Sequence, residues 1–322
     1  MRIIALEEEF ITNKVMQEIG GSSQFHYTLE TSSEIIGQSL ESAFVDLGAN
    51  RIAAMDEAGI DLQVLSFAAP QVSDPVRSVE MMTEANNSAF EAVKSYPTRF
   101  SAFASLPLAS PDAASDELER CLNSLGFAGA FIAGSINGEF LDHPKFRPVL
   151  ECAQANECPI YLHPYFPLPG LMESYFKGRE ELGGPEWGFM IDASCHFLRL
   201  VTSGTFDRFP DLKIILGHLG ESIPYNLDRI VNRLRAYAEG KRLKKPVGDY
   251  FRENLVVTTS GNFSVPSLMC AINTIGIDNV MFSVDWPNES NKAGVDFLNH
   301  IPISKTDLEK IAHRNAERIL KI

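Results

Sequence analysis

The sequence is short of cysteine, with five in 322 residues. Cys121, Cys152, Cys158, Cys195 and Cys270 are odd in number and scattered, and no two form a Cys-x-x-Cys pair. That pattern is not a disulfide framework, and buried free thiols in a reducing compartment are expected instead. Positive charge is also scarce: 28 Lys and Arg stand against 42 Asp and Glu, a formal net charge of -14. A nucleic-acid partner or an anionic membrane surface would require clustered basic residues, so neither is expected. The richest basic cluster, Lys241, Arg242, Lys244 and Lys245, follows a helix-like segment and reads as a solvated helix end. No apolar run approaches the ~18 residues of a membrane span. The opening MRIIALEEEF carries acids at 7–9 where a signal peptide would place its apolar region, so a soluble cytoplasmic protein is expected. There is no Gly-x-Gly-x-x-Gly and no P-loop, which leaves no sign of a dinucleotide or other organic cofactor.

What the sequence does contain is alternation. Strand-length apolar runs occupy residues 3–6, 62–67, 100–106, 128–132, 159–162, 213–216, 255–257 and 280–282. Helical patterns with recognisable ends separate them. Pro75 opens a 3.6-period stretch that runs to Tyr96, where Pro97 stops it. Ser110 and Pro111 open a second stretch that ends at Gly126, and 144–155 and 304–320 look similar. Eight strands separated by helices predict a parallel sheet closed into a (β/α)8 TIM barrel. Length alone would suggest two domains, but such barrels routinely exceed ~250 residues as one unit. With no repeat or linker in view, residues 1–322 are expected to form a single domain. Two stretches break the rhythm: an insertion at 10–46 after the first strand, and a Pro- and Gly-rich loop at 164–185 after the fifth. In a barrel both would lie over the catalytic face, as lids or substrate walls.

The metal-type side chains fall at the ends of these strands. Glu7, Glu8 and Glu9 end the first, His163 the fifth, Gly217-His218-Leu219-Gly220-Glu221 the sixth, and Asp285 the eighth. In a parallel barrel those ends share one rim, so side chains distant in sequence converge there. Taken singly, each has a plain explanation: a lone Asp at a strand end caps a helix, and a lone His after a strand sits hydrogen-bonded in a core. A carboxylate inside an apolar strand is harder to explain away, because an unpaired buried charge is costly. Together they suggest a nitrogen and oxygen site for one divalent cation, Mn2+ or Zn2+.

At these residues the chain resembles the amidohydrolase-related superfamily. Within it, the chain is similar to the non-oxidative hydroxybenzoate decarboxylases (those acting on γ-resorcylate, 2,3-dihydroxybenzoate, salicylate and 5-carboxyvanillate). The likeness runs nearly end to end, through ALEEEF, AFASLPL at 102–108, LGFAGAFI at 125–132, YLHP at 161–164, SGTFDRFPDLKIILGHLGE at 203–221, TTSGNF at 258–263 and MFSVDWP at 281–287. It implies metal ligands at Glu7, His163 and Asp285, with Asp285 also catalytic, and a catalytic pair of His218 with Glu221. Spacing of three residues would suit that pair on one helix face. Arg51 and Arg229 match arginines that bind the substrate carboxylate; a surface ion pair is the alternative for each.

Two departures stand out. The family motif has Ala or His where this chain has Glu9, and residues two apart in a strand share a face, so Glu9 should join Glu7 inside the barrel. Three carboxylates around one ion would over-compensate its charge and favour Mn2+ over Zn2+. Whether Glu9 ligates, stays protonated or pairs with an arginine is open at this point. Asp228 stands where relatives carry a large aromatic residue. The resemblance implies decarboxylation of a small hydroxyaromatic acid by a homodimer or homotetramer. Metal-dependent hydrolysis of a lactone or amide is the main rival, and a silent barrel that only binds a ligand is a third possibility. His26, Phe10, Pro70, Trp187 and Trp286 are candidate wall residues, His196 a packing residue near the site, and His143, His300 and His313 carry no signal.

Overall fold

A computed structural model describes residues 1–19, 33, 39–69, 71–236 and 242–322. His26, Pro70 and Lys241 therefore lie outside the described residues. Eight strands alternate with helices: β1 Ile4–Phe10, β2 Leu62–Phe67, β3 Phe100–Ser105, β4 Gly129–Ala133, β5 Ile160–His163, β6 Ile214–Leu216, β7 Leu255–Thr258 and β8 Val280–Met281. They form one parallel sheet in sequential order. A parallel bridge between Leu6 and Ser283 brings the last strand back to the first, and the Leu6 amide donates to the Phe282 carbonyl at 3.3 Å. The result is the expected barrel.

Two apolar layers result from strand alternation. Ile4, Leu6, Phe103, Phe131, Tyr161 and Ile215 fill the interior. Ala5, Phe10, Leu65, Ile132, Leu162 and Leu216 face the helices. The interior is a packed plug below, so ligands meet only at the strand C-termini above it.

Strand β1 carries the main irregularity. Ala5 pairs with Gln63 and Glu8 with Leu65, so one extra residue is inserted between them. Glu7 takes up the extra length in a left-handed conformation, φ 58°. This bulge shifts the alternation. Without it Glu8 would follow Leu6 into the barrel; with it Glu7 and Glu9 turn inward and Glu8 turns toward the helices.

The helix boundaries follow the sequence signals. Helix Pro75–Ser95 is capped by the Asp74 carboxylate, which accepts from the Arg77 amide at 2.8 Å. Ser110 occupies the N-cap position of helix Pro111–Asn123 without a side-chain capping bond. The stretch expected to be one helix at 304–320 is broken into Lys305–Glu309, a wider π-type turn at Lys310–Arg314, and Asn315–Leu320. The wide turn frees the Ile311 carbonyl to accept from the Phe282 amide at 2.9 Å, so the break serves the end of β8. All five cysteines are free, but only Cys121 and Cys158 are buried; Cys195 is exposed, contrary to expectation. Among the described residues no helix is long and apolar enough to cross a membrane.

Candidate metal centre

The barrel brings the expected residues to one mouth. His163, the last residue of β5, places Nε2 3.2 Å from Glu9 Oε1 and 3.4 Å from Glu7 Oε1. Across the mouth, His218 Nε2 lies 3.6 Å from Asp285 Oδ2, and its Nδ1 lies 2.8 Å from Glu221 Oε1. Glu7, His218 and Asp285 form one group whose donor atoms lie within 4.8 Å of each other; Glu9, His163 and Asp285 form another. Asp285 belongs to both.

Each glutamate has one oxygen satisfied by the protein and one left over. Glu7 Oε2 accepts from the Tyr161 hydroxyl, which itself lies 2.7 Å from Thr258 Oγ1. Glu9 Oε2 accepts from Asn288 Nδ2 at 2.6 Å. Glu7 Oε1, Glu9 Oε1 and Asp285 Oδ1 are buried without a hydrogen-bond partner. Burying a carboxylate oxygen unpaired costs several kcal/mol (order of magnitude). Two of these oxygens, on Glu7 and Glu9, lie within 3.4 Å of His163 Nε2, and the residues present fit a divalent cation.

The local backbone is built for this meeting. Among the described residues eight non-glycine residues have positive φ, and five of them carry or adjoin the site: Glu7, His218, Leu219, Glu221 and Asp285. Such conformations cost about 1–3 kcal/mol each and concentrate where function demands them. Glycines give way at the closest approaches. A Cβ on Gly217 would lie 2.7 Å from Glu7 Oε2 and 3.1 Å from the Tyr161 hydroxyl, so no larger residue fits beside that carboxylate. Histidine 218 and Glu221 meet as the sequence implied, but not on a helix face: both are in left-handed conformations within a turn, and the helix Ile223–Leu234 starts after them.

The amidohydrolase family profile matches residues 31–322. γ-Resorcylate decarboxylase from Polaromonas sp. is 38% identical over 330 residues, spanning 99% of this chain and 98% of that protein. The chain belongs to the amidohydrolase family. Its fold superposes on a crystal structure of 2,6-dihydroxybenzoate decarboxylase complexed with 2,6-dihydroxybenzoate with a TM-score of 0.90 and 37% identity, covering 100% of both chains. Dihydroxybenzoic acid decarboxylase from Polaromonas sp., solved with bound manganese and the inhibitor 2-nitroresorcinol, gives a TM-score of 0.90 at 38% identity, covering 99% of this chain and 97% of that one.

Burial governs the charges in this amidohydrolase. It pushes the carboxyls of Glu7 and Glu8 up to about 8 and that of Glu9 well above its ordinary range, with Asp285 adding to the effect on all three. It drives His163 down to about 3, with the neighbouring His218 contributing, so His163 is neutral and its lone pair is available. Burial opposes the charged form of His218 as well, but Glu221, Asp285 and Glu7 outweigh it and raise that imidazole well above 6.5. Without an ion, burial thus favours protons on Glu7 and Glu9, and the surrounding carboxyls favour positive charge on His218.

Both arginines matched to substrate-binding arginines lie on helices. Arg51, in helix Ala49–Ala58, is fully buried on the helix side of β1 and β2. Its Nε donates to Gln63 Oε1 at 2.8 Å and its Nη1 to the Glu9 carbonyl at 2.8 Å. Those bonds brace β1, while its Nη2 is buried without a hydrogen-bond partner. The bulge accounts for the bonds, because it turns Glu8 and the Glu9 carbonyl toward that side. Arg229 is on the exposed face of helix Ile223–Leu234, and among the described residues neither its side chain nor that of Asp228 makes a hydrogen bond or ion pair.

Other residues emerge only with the structure. Tyr161 stands two residues before His163 on the same strand, a spacing that places both inside. Asn288 follows Asp285 by three residues, and nothing in its type marked it. The ring of Phe131 lies 5.2 Å from that of His163, and Phe189 meets His163 edge-on at 6.5 Å and Phe166 at 5.1 Å, giving the mouth an aromatic wall. Phe10 packs on Phe67 in the outer core and Trp187 is exposed, so neither takes that role. His196 is buried and its Nε2 accepts from the Leu141 amide at 3.0 Å, the packing role expected of it.

Proposed function

We propose that this enzyme removes the carboxyl group of a small hydroxybenzoate as CO2, without oxidant or organic cofactor, at one Mn2+ held by Glu7, Glu9, His163 and Asp285. The observation that carries this reading is the pair of unpartnered, buried oxygens Glu7 Oε1 and Glu9 Oε1 within 3.4 Å of His163 Nε2, with Asp285 grouped with Glu9 and His163. Decarboxylase relatives that bind manganese and hydroxylated aromatic ligands support it. An all-but-one oxygen donor set favours Mn2+ over Zn2+.

A bound ion would supply Lewis acidity toward the substrate's carboxylate and the hydroxyl oxygen beside it. On this reading Asp285 delivers a proton to the ring carbon that bears the carboxylate. The bond to the carboxylate then breaks, its electron pair restores the aromatic ring, and CO2 leaves. His218, fixed by Glu221 and 3.6 Å from Asp285 Oδ2, is placed to return a proton to Asp285. With Arg51 tied into the wall, positive charge at the mouth comes from the ion and from His218, which offsets the repulsion of an anionic substrate by a chain of net charge -14. Phe131 and Phe189 limit where the ring can lie.

We also read the chain as one domain, since its strands form one sheet. Free thiols support a cytoplasmic location, and exposed Tyr175, Trp187 and Tyr225 support a homodimer or homotetramer. The deciding assay incubates the Mn2+-loaded enzyme with hydroxybenzoates, 2,6-dihydroxybenzoate first, and with lactones. Release of CO2 with formation of the phenol is expected; proton release from lactones with no CO2 from any benzoate would replace decarboxylation by hydrolysis.

A further inference from the structure

We propose that Asn288 is a positioning residue that restricts Glu9 to one oxygen toward the ion and so keeps a coordination position open for substrate. The inference rests on the metal reading given above. Glu9 is 2% exposed, and its two oxygens have different surroundings. Oε2 accepts the Asn288 amide at 2.6 Å; Oε1 has no hydrogen-bond partner and lies 3.2 Å from His163 Nε2. The loop that carries Asn288 also carries Asp285, and it is tied to β1 where the Trp286 carbonyl accepts the Glu9 amide at 2.5 Å. One loop therefore delivers a ligand and a clamp on the spare oxygen of another. Tyr161 does the same for Glu7, occupying Oε2 and leaving Oε1.

The clamp matters because a carboxylate can bind an ion through one oxygen or through both. Mn2+ in an oxygen-rich site takes about six ligands in octahedral geometry. Four protein atoms, one each from Glu7, Glu9, His163 and Asp285, leave about two positions, which is what a substrate chelating through a carboxylate and a neighbouring hydroxyl requires. A Glu9 that swung in with both oxygens would take one of those positions. The amide also draws charge away from the third carboxylate around a 2+ ion.

The test compares Mn2+-loaded wild type with Asn288→Leu and Asn288→Ala, each also in a Glu9→Ala background. Readouts are the number of water molecules exchanging at the ion, from water-proton relaxation, and the KM and kcat for 2,6-dihydroxybenzoate. In both single variants the exchanging waters should fall from about two to about one. KM should rise about tenfold or more, with a smaller change in kcat. In the Glu9→Ala background Asn288 has no carboxylate to restrain, so its removal should change neither quantity. Asn288 is partly exposed, and a fall in water number with Mn2+ still bound is not a consequence of unfolding. An unchanged water number and KM in the two Asn288 variants would overturn the proposal, as would an equal KM rise without Glu9. Wild type that binds no Mn2+ brings down the metal reading and the clamp together, whereas bound Mn2+ with an unaltered water count brings down the clamp alone.

Discussion

Asp285 is the residue on which both groups of metal-type side chains depend, and the proposed role as proton donor requires that no isostere without an acid can replace it. Asp285→Asn should lower kcat by at least about 100-fold, measured as CO2 release, while circular dichroism shows the fold intact. Gly217→Ala tests the opposite case, a residue with no chemistry of its own. Its new methyl would stand 2.7 Å from Glu7 Oε2, so Mn2+ affinity by calorimetric titration should fall about tenfold or more. Wild-type affinity in that variant would mean Glu7 is not held where the ion binds. At this scale the sequence was readable where residue type and strand end coincide, as for Glu7, His163 and Asp285. It was silent on the neighbours of Arg51, because a charged residue on a helix does not reveal which it faces, and on Asn288, whose amide the structure ties to Glu9.

Between residue and barrel lies strand β1, whose bulge decides which of three consecutive glutamates reach the mouth. Period-two alternation correctly predicted that Glu7 and Glu9 share a face, but it could not say that Leu6 shares it too, since a bulge leaves no clear mark in composition. Glu8, the one turned outward, fastens the seam. Its Oε1 accepts from the Val284 amide at 2.9 Å and from Ser283 Oγ at 3.4 Å, and its Oε2 from Gln63 Nε2 at 3.2 Å. Glu8→Ala would leave those buried donors without partners and should destabilise the fold by about 1–3 kcal/mol in urea denaturation. Glu8→Gln, which keeps an acceptor oxygen, should cost less. Equal losses in the two variants would show that the acceptor bonds do not hold the seam. The wide turn at Lys310–Arg314 was likewise invisible, because its cause is a backbone amide of β8, not a side chain.

For the molecule as a whole, alternation of apolar runs with capped helices was enough to predict the barrel, and the rim location of the metal-type side chains followed from that topology. What alternation does not carry is the electrostatic cost of assembling the rim. In the metal-free protein Glu7 and Glu8 are raised by burial from 4.5 to about 8. Between those values the folded chain holds protons that the unfolded chain has released. Stability of the metal-free protein should therefore fall as pH rises from about 4.5 to about 8 and level off beyond. An ion replaces the protons on Glu7, so the gap in Tm between Mn2+-loaded and chelated protein should widen over the same range. Scanning calorimetry with excess Mn2+ or EDTA measures this, and a gap independent of pH would mean the ion displaces no protons from this pocket.

One anomalous difference map at the manganese edge, from crystals of the loaded enzyme, decides whether a single cation joins these strands. A sole strong peak within about 2.0–2.4 Å of Glu7 Oε1, Glu9 Oε1, His163 Nε2 and an Asp285 oxygen is the predicted result. A peak elsewhere, or no peak in an enzyme that still releases CO2, would contradict it.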